Sequence, residues 1–76
     1  MTDFELAKNR LDKRKKNAPI NLEEANRIFN DTSIYIYYDY KSGKYGWMAI
    51  MNENRGFGTI RSAVNDALEY LEKGGY

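Results

Sequence analysis

Between Ser33 and Met51 the chain reads S-I-Y-I-Y-Y-D-Y-K-S-G-K-Y-G-W-M-A-I-M. Two runs rich in Tyr, Ile, Trp and Met flank the polar stretch Lys41-Ser42-Gly43-Lys44, the pattern of a β-hairpin. A turn centred on Ser42-Gly43 sets Lys41 opposite Lys44, Tyr40 opposite Tyr45 and Tyr38 opposite Trp47. Ile36 then meets Ala49, and Ile34 meets Met51. Side chains alternate between the faces of a strand. One face is therefore Ile34, Ile36, Tyr38, Tyr40, Tyr45, Trp47, Ala49 and Met51, the expected core face. The other is Tyr35, Tyr37, Asp39, Gly46, Met48 and Ile50, too apolar for an ordinary wet face. A four-residue loop keeps both faces, whereas a one-residue slip does not. A lone hairpin is marginal in water, so helices must cover at least one side.

The flanking segments supply the helices. Thr2-Asp3-Phe4-Glu5 fits a capping box, and Phe4, Ala7 and Leu11 form a thin apolar stripe in a helix expected to reach about Lys16. Pro19 stops that pattern. Asn21-Leu22-Glu23-Glu24 is a second capping box, followed by the stripe Leu22, Ala25, Ile28 and Phe29. After the hairpin, residues 52–56 read as a polar turn. Gly56-Phe57-Gly58 reads as a short third strand or an extended entry, with Phe57 plugging the core. Thr59 is an N-cap for the most regular helix: Ile60, Ala63, Val64, Ala67, Leu68 and Leu71 keep one face. Lys73-Gly74-Gly75 stops it. The expected fold is α+β in the order α-α-β-β-(β)-α, with the last helix on the Ile34/Ile36/Tyr38/Trp47 face.

Seventy-six residues make one domain with a modest core. Within it, residues 1–17 form a basic helix able to extend from a compact part at 21–73. Cys and His are both absent. That removes disulfides, thiolate sites, the usual neutral-pH acid/base and the commonest metal ligand. No apolar run approaches the roughly 20 residues of a membrane span. No signal-peptide h-region is present. A cytoplasmic location without membrane partners follows as the expectation. The net charge of +1 is unevenly placed. Six bases stand against three acids in residues 1–20, and one base against three acids in residues 21–32.

Candidate chemistry is sparse. No nucleophile–base set can be assembled, and the carboxylates Asp39, Glu53 and Asp66 have no acid/base spacing. The glycines match neither a P-loop nor a dinucleotide fingerprint, and no calcium loop is present. No enzyme, catalytic residue, metal or cofactor is expected. Two surfaces remain. Lys8, Arg10, Lys13, Arg14, Lys15 and Lys16 form a dense basic segment, either a phosphate-contacting helix end or a solvated one. The second hairpin face, with Tyr35, Tyr37, Met48 and Ile50, is a stacking platform for bases, a protein-binding patch, or a second buried face. Its one charge, Asp39, is negative, which favours a protein.

The segment from Tyr35 to Leu71 resembles the AP2-like arm DNA-binding domain of phage and transposon integrases. The residues that carry this are Tyr35-Ile36-Tyr37-Tyr38-Asp39, the turn Ser42-Gly43-Lys44, and Arg55-Gly56-Phe57-Gly58-Thr59 leading to Ala63. The resemblance implies a three-stranded sheet backed by one helix, with the sheet in the major groove and Tyr35, Tyr37, Lys41, Lys44 and Arg55 on DNA. Residues 47–51 depart from it, because they hold no base where the family's groove strand is polar and basic. No recombinase activity is expected, because no catalytic integrase domain is present. Small size and heavy use of Asn, Lys, Tyr and Ile also look like accessory proteins of phages and mobile elements. Such proteins often occlude host macromolecules, including defence and transcription machinery.

The leading expectation is therefore a non-enzymatic module, an inhibitor by occlusion, that binds a protein through Tyr35, Tyr37, Met48 and Ile50 with Lys41 and Lys44 beside them. The alternative is DNA or RNA binding through Lys13, Arg14, Lys15, Lys16, Lys41, Lys44, Arg55 and Arg61. A third is a homodimer joined by the same face or by a sheet edge, since unpaired strands recruit strands.

Overall fold

A computed structural model describes residues 1–15 and 18–75. The elements are α1 (Asp3–Asp12), α2 (Leu22–Ile28), β1 (Tyr35–Asp39), β2 (Lys44–Met48), β3 (Glu53–Phe57) and α3 (Ile60–Glu72). The strands form one antiparallel sheet in the order β1-β2-β3. The fold is thus α+β, with two N-terminal helices, a three-stranded sheet and one C-terminal helix.

The helix boundaries follow from their caps. At α1, Thr2 Oγ1 accepts the Glu5 N–H at 3.1 Å, and the Glu5 carboxylate accepts the Thr2 N–H at 3.1 Å. The Thr2 N–H, and after it the Thr2 hydroxyl, which donates to the same carboxylate at 3.0 Å, hold the Glu5 carboxyl below its usual pKa. At α2 the box is half built. Asn21 Oδ1 accepts the Glu24 N–H at 2.8 Å, but the Glu24 carboxylate pairs with Arg14 instead. Thr59 caps α3 by accepting the Ser62 N–H at 3.1 Å. At its end Gly74 takes φ +86°, where a Cβ is disfavoured. The Gly74 N–H then reaches Leu71 O and the Gly75 N–H reaches Tyr70 O, both at 3.0 Å, a Schellman stop.

The first helix ends at Asp12, earlier than its charge pattern suggests. Residues 12–15, Asp-Lys-Arg-Lys, offer no apolar side chain to the core. The Arg14 N–H bonds Leu11 O, one residue short of helical spacing, and its side chain turns to Pro19 O at 2.9 Å and to Glu24. The expected end at Lys16 lies outside the described residues. Residues 3–12 pack on the body, with Ala7 buried and Phe4 and Leu11 against the core.

The hairpin keeps its expected faces but not its expected turn. Asp39 pairs with Lys44, Tyr38 with Tyr45, Ile36 with Trp47 and Tyr35 with Met48, an offset of two residues. The loop is Tyr40–Gly43, because Asp39 builds it. Its carboxylate accepts the Lys41 N–H and the Ser42 hydroxyl, both at 3.0 Å, while its carbonyl accepts the Gly43 N–H at 2.8 Å. Asx side chains direct turns in this way. Tyr40 and Met51, expected in the core, therefore fall beyond the strands and are 90% and 81% exposed.

The polar run expected to be a turn is in fact β3. Asn, Glu, Arg and Gly fit strands poorly, but β3 is an exposed edge where no buried packing is asked of them. The outward amides of Glu53 and Arg55 are met by the side chains of Asn52 at 2.9 Å and Asn54 at 3.1 Å. Gly56, at φ +95°, is the extra residue where the register shifts between Gly46–Arg55 and Tyr45–Phe57.

All three helices lie on one side of the sheet. Ile34, Ile36 and Trp47 are buried with Ala63, Val64, Ala67, Leu68 and Leu71 of α3, and with Ala25, Ile28 and Phe29 of the α2 segment. The opposite face keeps Tyr35 and Met48 exposed, so helices do not cover both faces. The α2 helix also closes an edge. Asn26 Nδ2 donates to Ile36 O at 2.9 Å and its Oδ1 accepts the Ile36 N–H at 2.8 Å, as a neighbouring strand would.

Asn26→Ala leaves both Ile36 groups unmet in a half-buried place. The expected loss is about 1–3 kcal/mol of unfolding free energy, read from urea melts. A variant as stable as the parent would remove this edge pairing from the account.

Candidate binding face

Register fixes the composition of the uncovered face. Its rows across the sheet are Tyr35–Met48–Glu53, then Tyr37–Gly46–Arg55, then Asp39–Lys44. The middle row is braced. Tyr37 lies over Gly46, and its hydroxyl donates to Glu53 Oε2 at 2.7 Å. A Cβ on Gly46 would come within 2.8 Å of both the Tyr37 ring and the Asn54 carbonyl, so glycine is required by space. The Glu53 bond, more than burial, raises the Tyr37 pKa above its ordinary value.

The two ends of this face differ. At the loop end, Tyr35 and Met48 are 56% and 41% exposed. Beside them runs the loop Ala49–Asn52, closed by the Ala49 N–H on Asn52 O at 2.8 Å. Its tip is Ile50-Met51, with Ile50 76% exposed. Ile50 thus stands on the loop, not on the sheet face where alternation placed it. Turn tips favour Gly, Asn, Asp and Pro, and two large apolar residues there are a departure with no folding benefit. Met51, which alternation assigns to the core face, stands exposed beside Ile50 at this tip. Its signal was an apolar pair immediately before the polar run 52–55.

At the hairpin tip the charges are unequal in engagement. The Asp39 carboxylate is spent on the turn, and the Ser42 hydroxyl and the Lys41 amide lower its pKa. Glu53 is engaged by Tyr37. The side chains of Lys41, Lys44 and Arg55 have no hydrogen-bond or ion-pair partner among the described residues.

The N-terminal basic segment is largely structural. Arg10 Nη1 donates to the carbonyls of Arg27 and Ile28 at 3.3 Å each, and to Asn30 O, closing the C-terminus of α2. Cations suit that end of a helix. Arg14 is held by Glu24 and Pro19, and Lys8 pairs with Asp12 at 3.1 Å. Arg61 donates to Ala18 O at 2.8 Å. Lys13 and Lys15 are exposed, and Lys16 lies outside the described residues. Of these candidate bases, Arg14 and Arg61 are thus engaged by the body of the domain, whereas Lys13, Lys15, Lys41, Lys44 and Arg55 are exposed.

Behind the sheet, Asp66 Oδ2 accepts the Trp47 indole N–H at 2.8 Å and Asn54 Nδ2 at 2.9 Å. The Trp47 ring packs on Tyr70 with centroids 4.8 Å apart. This network lines an open cleft of about 390 Å³ between β3 and α3. Through Asp66 it anchors both β2 and β3 to α3. Among the described residues no group of three or more metal-ligating side chains occurs, and no helix is long and apolar enough to cross a membrane. Compared with protein families, curated proteins and solved structures, the chain matches none.

Gly46→Ala drives a methyl into a carbonyl and the Tyr37 ring. A destabilisation of about 1–3 kcal/mol is expected, with loss of the Tyr37–Glu53 bond, from thermal melts. The pH dependence has a definite sign. A raised phenol pKa means that the folded state favours the protonated ring, so this contribution stands below pH 10 and is lost as pH rises through the folded-state value. In a two-dimensional NMR titration Tyr37 should ionise later than Tyr37 does in the Glu53→Ala variant. Equal midpoints in the two proteins would refute the bond.

Proposed function

We propose that this chain is a non-enzymatic binding module whose outer sheet face grips a protein partner and acts by steric occlusion of a host macromolecule. The observation that carries this reading is the uncovered face ending in Tyr35, Met48, Ile50 and Met51, which are large, apolar and exposed. A small domain gains nothing in stability from such side chains in water. Tyr and Met are also the residue types enriched in interfaces. Tyr37 contributes through shape, since its hydroxyl is held by Glu53.

A second reading, nucleic acid on the same face, is favoured by one observation: a three-stranded sheet backed by a helix, with Lys44 and Arg55 facing outward. That is the arrangement the AP2-like resemblance implies. Two carboxylates, Asp39 and Glu53, share the face, and Arg14 and Arg61 are occupied elsewhere.

The test places a photocrosslinking amino acid at Ile50 or, as a control, at Glu69 on the helix side. The full chain is irradiated in cells that produce it. A single protein adduct from position 50, absent from position 69 and lost with Tyr35→Ala/Met48→Ala, is the expected result. No adduct, together with anisotropy showing micromolar DNA or RNA binding that weakens steeply with salt, would transfer the face to nucleic acid.

A further inference from the structure

We propose that the occupant of the uncovered face is a short acidic segment of the partner, with apolar residues at one end and carboxylates at the other. This deepens the protein-binding reading above and rests on it. The face is bipartite along its strands. One end presents Tyr35, Met48, Ile50 and Met51 to solvent. The other presents Lys44, with exposed Lys41 in the turn beyond it and Arg55 in the row between.

The two acids of the face stand at opposite ends: Asp39 shares the tip with Lys41, Lys44 and Arg55, whereas Glu53 stands in the Tyr35–Met48 row, so the tip holds three bases against one acid. Asp39 accepts from its own turn and Glu53 accepts from Tyr37. The three cations donate to nothing among the described residues. The tip is net positive, so complementarity calls for carboxylates there. The apolar end asks for apolar side chains, which a phosphodiester backbone does not offer. A five-residue strand spans about 16 Å, which equals about eleven residues of helix. One amphipathic segment of that length would cover the face from Ile50 to Lys44.

A second copy of this chain fits less well. In a two-fold face-to-face pair with its axis along the strands, lysine tips meet lysine tips. With the axis across the strands, each lysine tip meets an apolar end. In either arrangement the three tip cations of one copy meet a single carboxylate of the other, Asp39 in the first and Glu53 in the second.

The test pans random 16-residue peptides, displayed on phage particles, against the immobilised full chain. The expected pool carries clustered Asp/Glu at one end and Leu, Phe or Met at the other. Its members should bind Lys44→Glu/Arg55→Glu and Ile50→Asp/Met51→Asp about tenfold or more weaker, with circular dichroism and melting temperature unchanged. The Lys44→Glu/Arg55→Glu protein, panned afresh, should select basic peptides. An empty, neutral or basic pool on the parent protein would overturn the proposal. So would affinities that ignore both double variants, displacement of bound peptide by a 20-nucleotide DNA at 0.15 M salt, or a dimer in sedimentation that peptide does not dissociate. A photocrosslinked partner at Ile50 whose adduct maps to a non-acidic segment would sink this inference and leave the broader protein-binding reading standing.

Discussion

Everything in this molecule hangs on Trp47. It sits on the central strand, 2% exposed, with its indole N–H on Asp66 of α3 and its ring against Tyr70. Burying one large aromatic side chain is worth roughly 1.5–3 kcal/mol from area alone, a large share for a domain of this size. The same residue also fixes orientation. A buried indole must satisfy its N–H, and Asp66 is the group that does so. Asp66 also accepts from Asn54, so β3 and the central strand are tied to the same carboxylate of α3. One interaction thereby decides which face of the sheet is inside and where its third strand lies.

Burial on one face leaves the other to solvent, and the chain treats its open edges and its open face differently. The β1 edge is met by Asn26, and two amides of the β3 edge by Asn52 and Asn54. These are devices against strand-to-strand association. The face receives no comparable cover. Its only internal contact of note, Tyr37 to Glu53, runs across the strands over Gly46 and stiffens the surface. Protected edges beside an exposed face argue for binding by side chains and shape, not by strand addition.

The hairpin faces were legible in the sequence because alternation depends only on parity. An offset of two residues in the turn leaves Ile36 and Trp47 inside and Tyr35 and Met48 outside. The turn itself was not legible, because the Asp39 side chain outcompetes the Ser42-Gly43 pair for control of the loop. Helix α3 was legible because its apolar period runs unbroken from Ile60 to Leu71. Strand β3 was not. Its residues have poor strand propensity, and only its anchoring through Asn54 and the bulge at Gly56 explains it. For the site, the exposed pair Tyr35 and Met48 could be read in advance. The separation of the arginines from the lysines could not. Arg10 and Arg14 look like part of a charge run, but their guanidinium groups are consumed by the α2 terminus and Glu24, contacts that no linear pattern reveals.

That division of labour among the bases bears directly on the nature of the ligand. Guanidinium groups suit fixed, multiply bonded positions, and here Arg10, Arg14 and Arg61 hold backbone carbonyls. The unattached cations at the hairpin tip are lysines, compact charges on flexible stems that gain little by holding backbone. A surface meant to clamp phosphates benefits from forked arginines aimed outward, and only Arg55 is so placed. Lysines at the far end of a face from an exposed apolar patch instead suit a partner whose charges need steering and whose binding energy comes from apolar burial. These grounds support the proposal that the face binds through an anchor of apolar side chains with an electrostatic guide at its far end.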